Sequence, residues 1–132
     1  MATTNLNNDS VSIVSGKDSV VVPLVLDTIP GGRSLNVTGF TPAVIQAGHV
    51  IIMETATKDY KPMPLNGGAT AYASLPTGHE YVGILISSIP TKKAMAGIVT
   101  RGRVNPAAAP FSMSSILAAV KTALPLIDFR ED

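Results

Sequence analysis

The stretch YVGILISSIPTKKAMAGIVTRGRVN, residues 81–105, decides the fold class of this chain. It holds two apolar runs, 81–88 and 94–105, rich in Val, Ile and Leu. Between them IPTKK (89–93) is a link of hairpin length, so the runs predict two antiparallel strands. Asn105-Pro106 ends the second strand, because proline has no amide N–H to give to a ladder.

Downstream, PAAAP (106–110) is a spacer and SMSSILAAVKTALP (112–125) predicts a helix. Ile116, Leu117, Val120 and Leu124 fall on one apolar stripe at helical spacing. Ser112 or Ser114 is the expected N-cap. Lys121 stands in the last turn, where the helix dipole favours a cation. Pro125 stops the helix, and LIDF (126–129) is expected to return as a final strand.

Upstream, SVVVPLVLDT (19–28) is the strongest strand candidate by β-branched content. Pro23 inside it predicts an edge strand or a bulge. LNVTGF (35–40) reads as a short strand, and a turn at Ala47-Gly48 leads into another from about His49 to Thr55. Residues 1–19 read as an N-terminal arm. TTNLNNDS is polar and Asn-rich, Gly16-Lys17-Asp18 is a turn signal, and only VSIV (11–14) alternates weakly like a strand. Such a segment buries too little apolar surface to offset its ordering entropy, so it is expected to order on contact with something else. The reading is an α+β, β-rich chain. A small antiparallel sandwich or barrel-like domain spans residues 20–132, with one helix in its C-terminal half and an extended arm at 1–19.

Composition narrows the function. Charged residues make up 14% of the 132-residue chain and hydrophobic residues 45%, against roughly 25% charged in ordinary soluble domains. A surface so poor in charge predicts burial against other chains. The net charge of +1 supplies no basic footprint for nucleic acid and no polybasic patch for a membrane. No apolar run approaches the length that spans a bilayer. MATTNLNNDS lacks the features of a signal peptide, which predicts a soluble protein made in a cytoplasm. The chain has no cysteine, so disulfides and thiolate metal sites are excluded.

No catalytic set is visible, and neither an enzyme nor a bound cofactor is expected. The two histidines are not pre-arranged. His49 and Glu54 are an odd number of residues apart on a strand and face opposite sides, as do His79 and Glu80. Nucleotide and nucleophile-elbow motifs are missing, and Gly31-Gly32-Arg33-Ser34 reads as a turn. The suggestive charges are Arg101 and Arg103. At i and i+2 they share a strand face, with Gly102 between them leaving room for a close approach. They either meet carboxylates on a neighbouring chain, where arginine binds bidentately, or form a solvated face or an ion pair within the fold.

Several of these residues, taken together, carry a resemblance. The series is Val82-Gly83-Ile84-Leu85, then Ile98-Val99, then Arg101-Gly102-Arg103-Val104-Asn105, the Ala107-Ala108-Ala109 spacer, the helix at 114–124, a proline, and the run Leu126 to Phe129. With TPAVIQAGHVIIMETATKDYKPMPL (41–65) upstream, the chain resembles the head decoration proteins of tailed phages, of the lambda type, over roughly residues 41–132. Residues 1–40 fall outside the resemblance, and Arg103 stands where the family often has an acidic residue. The resemblance implies a homotrimer on the outer surface of a virion capsid, binding the major capsid protein and clamping neighbouring subunits. An arm can add a strand to a partner sheet, and trimerisation multiplies weak contacts. Leu6, Val11, Ile13 and Val14 in the arm, with Arg101, Gly102 and Arg103, are the candidate capsid or subunit interface residues. Two other readings are a head-fibre base or minor virion anchor, and a small enzyme or ligand-binding barrel. The last requires a polar pocket in which His49 and His79 converge.

Overall fold

The structure, a computed structural model, describes residues 16–131. In chain order its elements are α1 (Asp18–Val21), β1 (Leu24–Thr28), β2 (Arg33–Ser34), β3 (Val44–Ile45), β4 (Val50–Glu54), β5 (Tyr60–Pro62), β6 (His79–Leu85), β7 (Ile89–Pro90), β8 (Met95–Ala96), β9 (Ile98–Val104), α2 (Leu117–Ala123) and β10 (Ile127–Phe129). The main sheet runs β1-β9-β6-β4-β5, with β10 joined to β9. Two short pairs, β2 with β8 and β3 with β7, flank it. The domain is thus β-rich and largely antiparallel, with α2 in its C-terminal half, as expected.

The strands predicted from residues 81–105 do pair antiparallel, with Ile84 opposite Val99 and Leu85 opposite Ile98. The link is longer than IPTKK, because residues 89–96 carry β7, a 3-10 turn at Thr91–Lys93, and β8. β6 then diverges to pair along its length with β4, and β9 diverges to pair with β1. The predicted last strand is present as β10. It lies parallel to β9, with Ile127, Asp128 and Phe129 opposite Gly102, Arg103 and Val104. Parallel neighbours need a crossover, and α2 supplies it.

The middle of the sheet is buried on both faces. Val50, Ile52, Ile84, Val99 and Val104 pack toward Val120, Leu124 and Ile127 on the helix side. Ile51, Leu85 and Ile98 pack with Leu35, Ile45 and Ala96 on the other. Each such aliphatic side chain contributes about 1.5–3 kcal/mol on leaving water. The uninterrupted apolar run of β4 is the expected signature of a strand covered on both sides.

Three local expectations are corrected. Residues 18–21, read in part as the start of a strand, form the single helical turn α1. Tertiary contacts override the β preference of Val20 and Val21. Asp18 accepts hydrogen bonds from the Ser88 amide at 2.9 Å and the Ser88 hydroxyl at 2.8 Å. Val21 packs directly on Gly48, where a side chain would collide with it, and its carbonyl accepts from Asn105 N–H at 2.8 Å. LNVTGF is not a strand. Leu35 makes an isolated bridge to Tyr60 and residues 38–39 turn. Finally, α2 begins at Leu117, with Ile116 as its N-cap residue and no side-chain cap. The Ser112 hydroxyl accepts from the Ser114 amide instead, while Met113 drops into the core. The predicted stripe holds, with Ile116, Val120 and Leu124 buried.

The Asp18 latch joins the first described turn to a loop far along the chain. Asp18→Ala is expected to cost about 2 kcal/mol, since hydrogen bonds to a charged group carry about 1.5–3 kcal/mol. The urea midpoint of unfolding reads it, and an unshifted midpoint would show that the latch holds nothing.

Candidate interface surface

β9 is the organising strand of the candidate surface, because both ends of the described chain return to it. Leu24, Arg103 and Asp128 lie in register across β1, β9 and β10, and so share a face. Asp27 and Arg101 are the next cross-strand pair on that face. Val25, Gly102 and Ile127 form the intervening row. Gly102 is where the strands crowd. A Cβ there would run into the Leu24 carbonyl and lie 3.3 Å from the Val25 Cα. The close approach expected at this glycine is therefore made by the fold's own β1 backbone.

The two arginines have separate fates. Arg103 is half-buried, and its Nε lies 3.6 Å from Asp128 Oδ2. The same carboxylate oxygen is 3.2 Å from an Arg130 guanidinium nitrogen. Arg103 is thus held in an ion pair within the fold. Its Nε is nevertheless buried with no hydrogen bond among the described residues. Arg101 is exposed and makes no ion pair among the described residues. The other candidates, Leu6, Val11, Ile13 and Val14, lie outside the described residues.

The sequence reading placed β1 as a strand, at an edge or bulged, as it is, but missed its exposed apolar surface. Four of its five residues, Leu24 through Asp27, are exposed. Leu24 and Val25 are each 40% exposed and Leu26 is 60% exposed. Val20 on α1 and Leu126 before β10 add further apolar surface. Leu26 is the extra residue of a bulge, for Val25 faces Gly102 while Asp27 already faces Arg101. Among the described residues β1 pairs only with β9. It is an apolar sheet edge, a feature that solitary domains normally blunt with charge or cover.

The histidines do not converge. His49 precedes β4, whereas His79 lies opposite Glu54 at its far end, roughly 17 Å away at strand rise per residue. His49 is wholly buried. Its Nε2 is 2.9 Å from the Met63 carbonyl. A carbonyl only accepts, so Nε2 carries the proton, and Nδ1 is left buried with no partner among the described residues. Phe40, Tyr72 and Phe111 surround the ring edge-on at centroid distances of 5.3, 5.1 and 5.8 Å. Burial pulls the imidazole down from 6.5 to about 4. The same enclosure pushes the Tyr72 phenol up, while its oxygen accepts from Val50 N–H at 3.1 Å. His49 is built as a neutral core group.

His79 belongs to a surface cluster that strand pairing assembles. Its Nδ1 donates to the Thr77 carbonyl at 3.1 Å, so Nε2 accepts from Lys61 Nζ at 3.3 Å. Lys61 also lies 3.7 Å from Glu54. The Thr57 hydroxyl, then Lys61, hold the Glu54 carboxyl below its ordinary value. Lys61 and His79 line a cleft of about 450 Å³ with Phe40, Pro64 and Leu65. A second, more open cleft of about 810 Å³ lies beside β2 and β8.

Among the described residues no His, Asp and Glu side chains are grouped to hold a metal ion, and no helix is long and apolar enough to cross a membrane. No family model, no curated protein and no solved structure matches the chain.

Proposed function

We propose that the chain is a structural virion protein. It binds the outer surface of a phage capsid as a homotrimer and stabilises the shell by clamping neighbouring copies of the major capsid protein. The observation that supports this reading most is β1, an apolar strand exposed at a sheet edge in a chain with only 14% charged residues. A surface of that kind works through burial against other polypeptides. The resemblance of residues 41–132 to phage head decoration proteins supplies the partner. The work is binding energy, and the N-terminal arm adds a strand to the capsid-protein sheet.

Light scattering of the purified protein, with and without expanded phage heads, tests the proposal. The expected result is binding at high copy over the shell. Low copy at one site would indicate a fibre base or anchor, and a chain that ignores heads would overturn the reading. Deleting residues 1–15 leaves the Asp18 latch in place. The expected product is a domain with wild-type thermal stability that no longer binds heads, and undiminished binding would remove the arm from the mechanism.

A further inference from the structure

Leu65 and Tyr72 bridge antiparallel and close a short loop between them. Within it Asn66 N–H donates to the Ala71 carbonyl and Ala69 N–H to the Asn66 carbonyl, both at 2.9 Å. Ala69 has φ of 53°, a left-handed conformation that strains a residue with a Cβ. Inside this loop lies the single Asn-Gly pair of the sequence, Asn66-Gly67. Both residues are exposed. Gly67 N–H donates no hydrogen bond among the described residues, and nothing lies within 4 Å of where a Cβ would stand. An unhindered main-chain nitrogen thus follows directly on an asparagine that water can reach.

We propose that Asn66 is a self-modification site, which the folded chain converts slowly to aspartate and isoaspartate. The inference stands apart from the virion reading above. Gly67 N bonds to Asn66 Cγ and gives up its proton, the Cγ–Nδ2 bond breaks, and ammonia leaves with that proton. Water then opens the cyclic imide. Opening at Cγ restores the main chain with an aspartate, and opening at the main-chain carbonyl leaves the chain running through the side chain as isoaspartate. Water is the one co-reactant. The other described asparagines lack this route. Asn105 precedes Pro106, whose nitrogen has no proton to lose. Asn36 is half-buried and precedes Val37, whose branched side chain crowds the attacking nitrogen. The fold sets the pace at Asn66 through Thr70. Asn66 Oδ1 accepts from Thr70 N–H at 2.9 Å, and Nδ2 donates to Thr70 Oγ1 at 3.1 Å. The Ala71 amide reaches the same Oδ1 at 3.4 Å. These bonds hold the side-chain amide across the loop, and ring closure has to release it. The product alters a surface. Asn66 and Gly67 line the cleft of about 450 Å³ that holds Lys61 and His79, with no acid among its described lining. Conversion puts a carboxylate into that lining and takes the net charge from +1 to zero, so the charge at this cleft changes with the age of the molecule.

The full chain, folded and at neutral pH, is sampled over weeks, and proteolysis with mass spectrometry locates the products. The expected result is a peptide containing residue 66 that is heavier by the difference between OH and NH2 and that separates into aspartate and isoaspartate forms. Hydroxylamine, which attacks the imide, should cut the chain between residues 66 and 67. Gly67→Ala fits the fold without contact and is expected to lose most of the product, because its Cβ crowds the nitrogen. Thr70→Ala keeps its N–H but not its hydroxyl, and is expected to convert about fivefold faster, the factor carried by one ordinary hydrogen bond. Thr70→Ser keeps both and should match the wild type. The same chain unfolded in urea gives the unrestrained rate, expected to be faster than any folded form. A folded chain that stays unconverted while the unfolded one converts, a product free of isoaspartate, or a Thr70→Ala rate no higher than the wild type each overturns the proposal.

Discussion

Gly102→Ala is expected to destabilise the domain by more than about 3 kcal/mol, or to prevent folding. The added Cβ would collide with the carbonyl of Leu24, and a backbone atom has no rotamer by which to move aside. The residue also has φ of 156°, which an L side chain rarely adopts. Overpacking and backbone strain each cost about 1–3 kcal/mol, and here they act together. The first thing lost is the pairing of β1 with β9, so amide exchange at residues 24–28 should accelerate before the rest of the sheet opens. Gly67→Ala is the control. Nothing lies within 4 Å of a Cβ there, and the change is expected to stay within about 0.5 kcal/mol of wild type. Equal midpoints for the two variants in a urea titration would show that the close approach of β1 does not constrain the fold.

The second large effect is acid lability centred on His49. Its pKa falls from 6.5 to about 4 in the fold, chiefly because burial disfavours the imidazolium. As the pH drops, the unfolded chain takes up this proton before the folded one does. Stability is therefore full above about 6.5 and declines toward 4, by about 3 kcal/mol in all at 1.36 kcal/mol per pKa unit. The depressed carboxyl of Glu54 also weakens the fold as acid is added, starting near the ordinary carboxyl range, so the His49 contribution is read cleanly only above it. Unfolding midpoints at pH 7.5, 6, 5 and 4 measure the slope. In His49→Gln, whose amide can still donate to the Met63 carbonyl, the decline between pH 6.5 and about 5 should be absent, whatever the variant's absolute stability. A wild-type profile equally flat over that range would show that the ring is not held neutral by its surroundings.

Several parts of the fold were legible in the residues because a local rule and the tertiary structure agree on them. The paired runs around 81–105, the strand at Val50–Glu54, the apolar stripe of α2 and the final strand all follow from periodicity and punctuation. The failures have physical causes. Pro23 did mark the first strand as an edge or bulged one, as β1 is, but the apolar runs LVL (24–26) and VIIM (50–53) do not tell that the first is exposed and the second buried. A run without alternation does not say which faces are covered, and only the neighbour list of the assembled sheet decides it. Residues 18–21 were misread because their helical turn is held by Ser88 and Gly48, which are distant in sequence. The Glu54–Lys61–His79 cluster was invisible for a related reason. Glu54 and His79 meet only once the register of β4 against β6 is set. Of the two arginines, Arg103 turned inward to Asp128 because β10 returns parallel to β9, and nothing near Arg103 in sequence announces that strand.

The position of β9 between β1 and β10 also bears on how fast the protein reaches this state. Leu24 and Asp128, near opposite ends of the described chain, flank the same Arg103. The β10 flank closes locally, but Leu24 and Arg103 are far apart in sequence, so the β1 flank forms only after most of the described chain has been gathered, and that loop closure is costly before the contact rewards it. Folding should be slow for a domain this small, in milliseconds to seconds rather than microseconds. With the longest-range pairing among the described strands, the apolar β1 is expected to dock last. During that interval it is the segment most open to wrong partners, which makes concentration and temperature during refolding the conditions that decide yield.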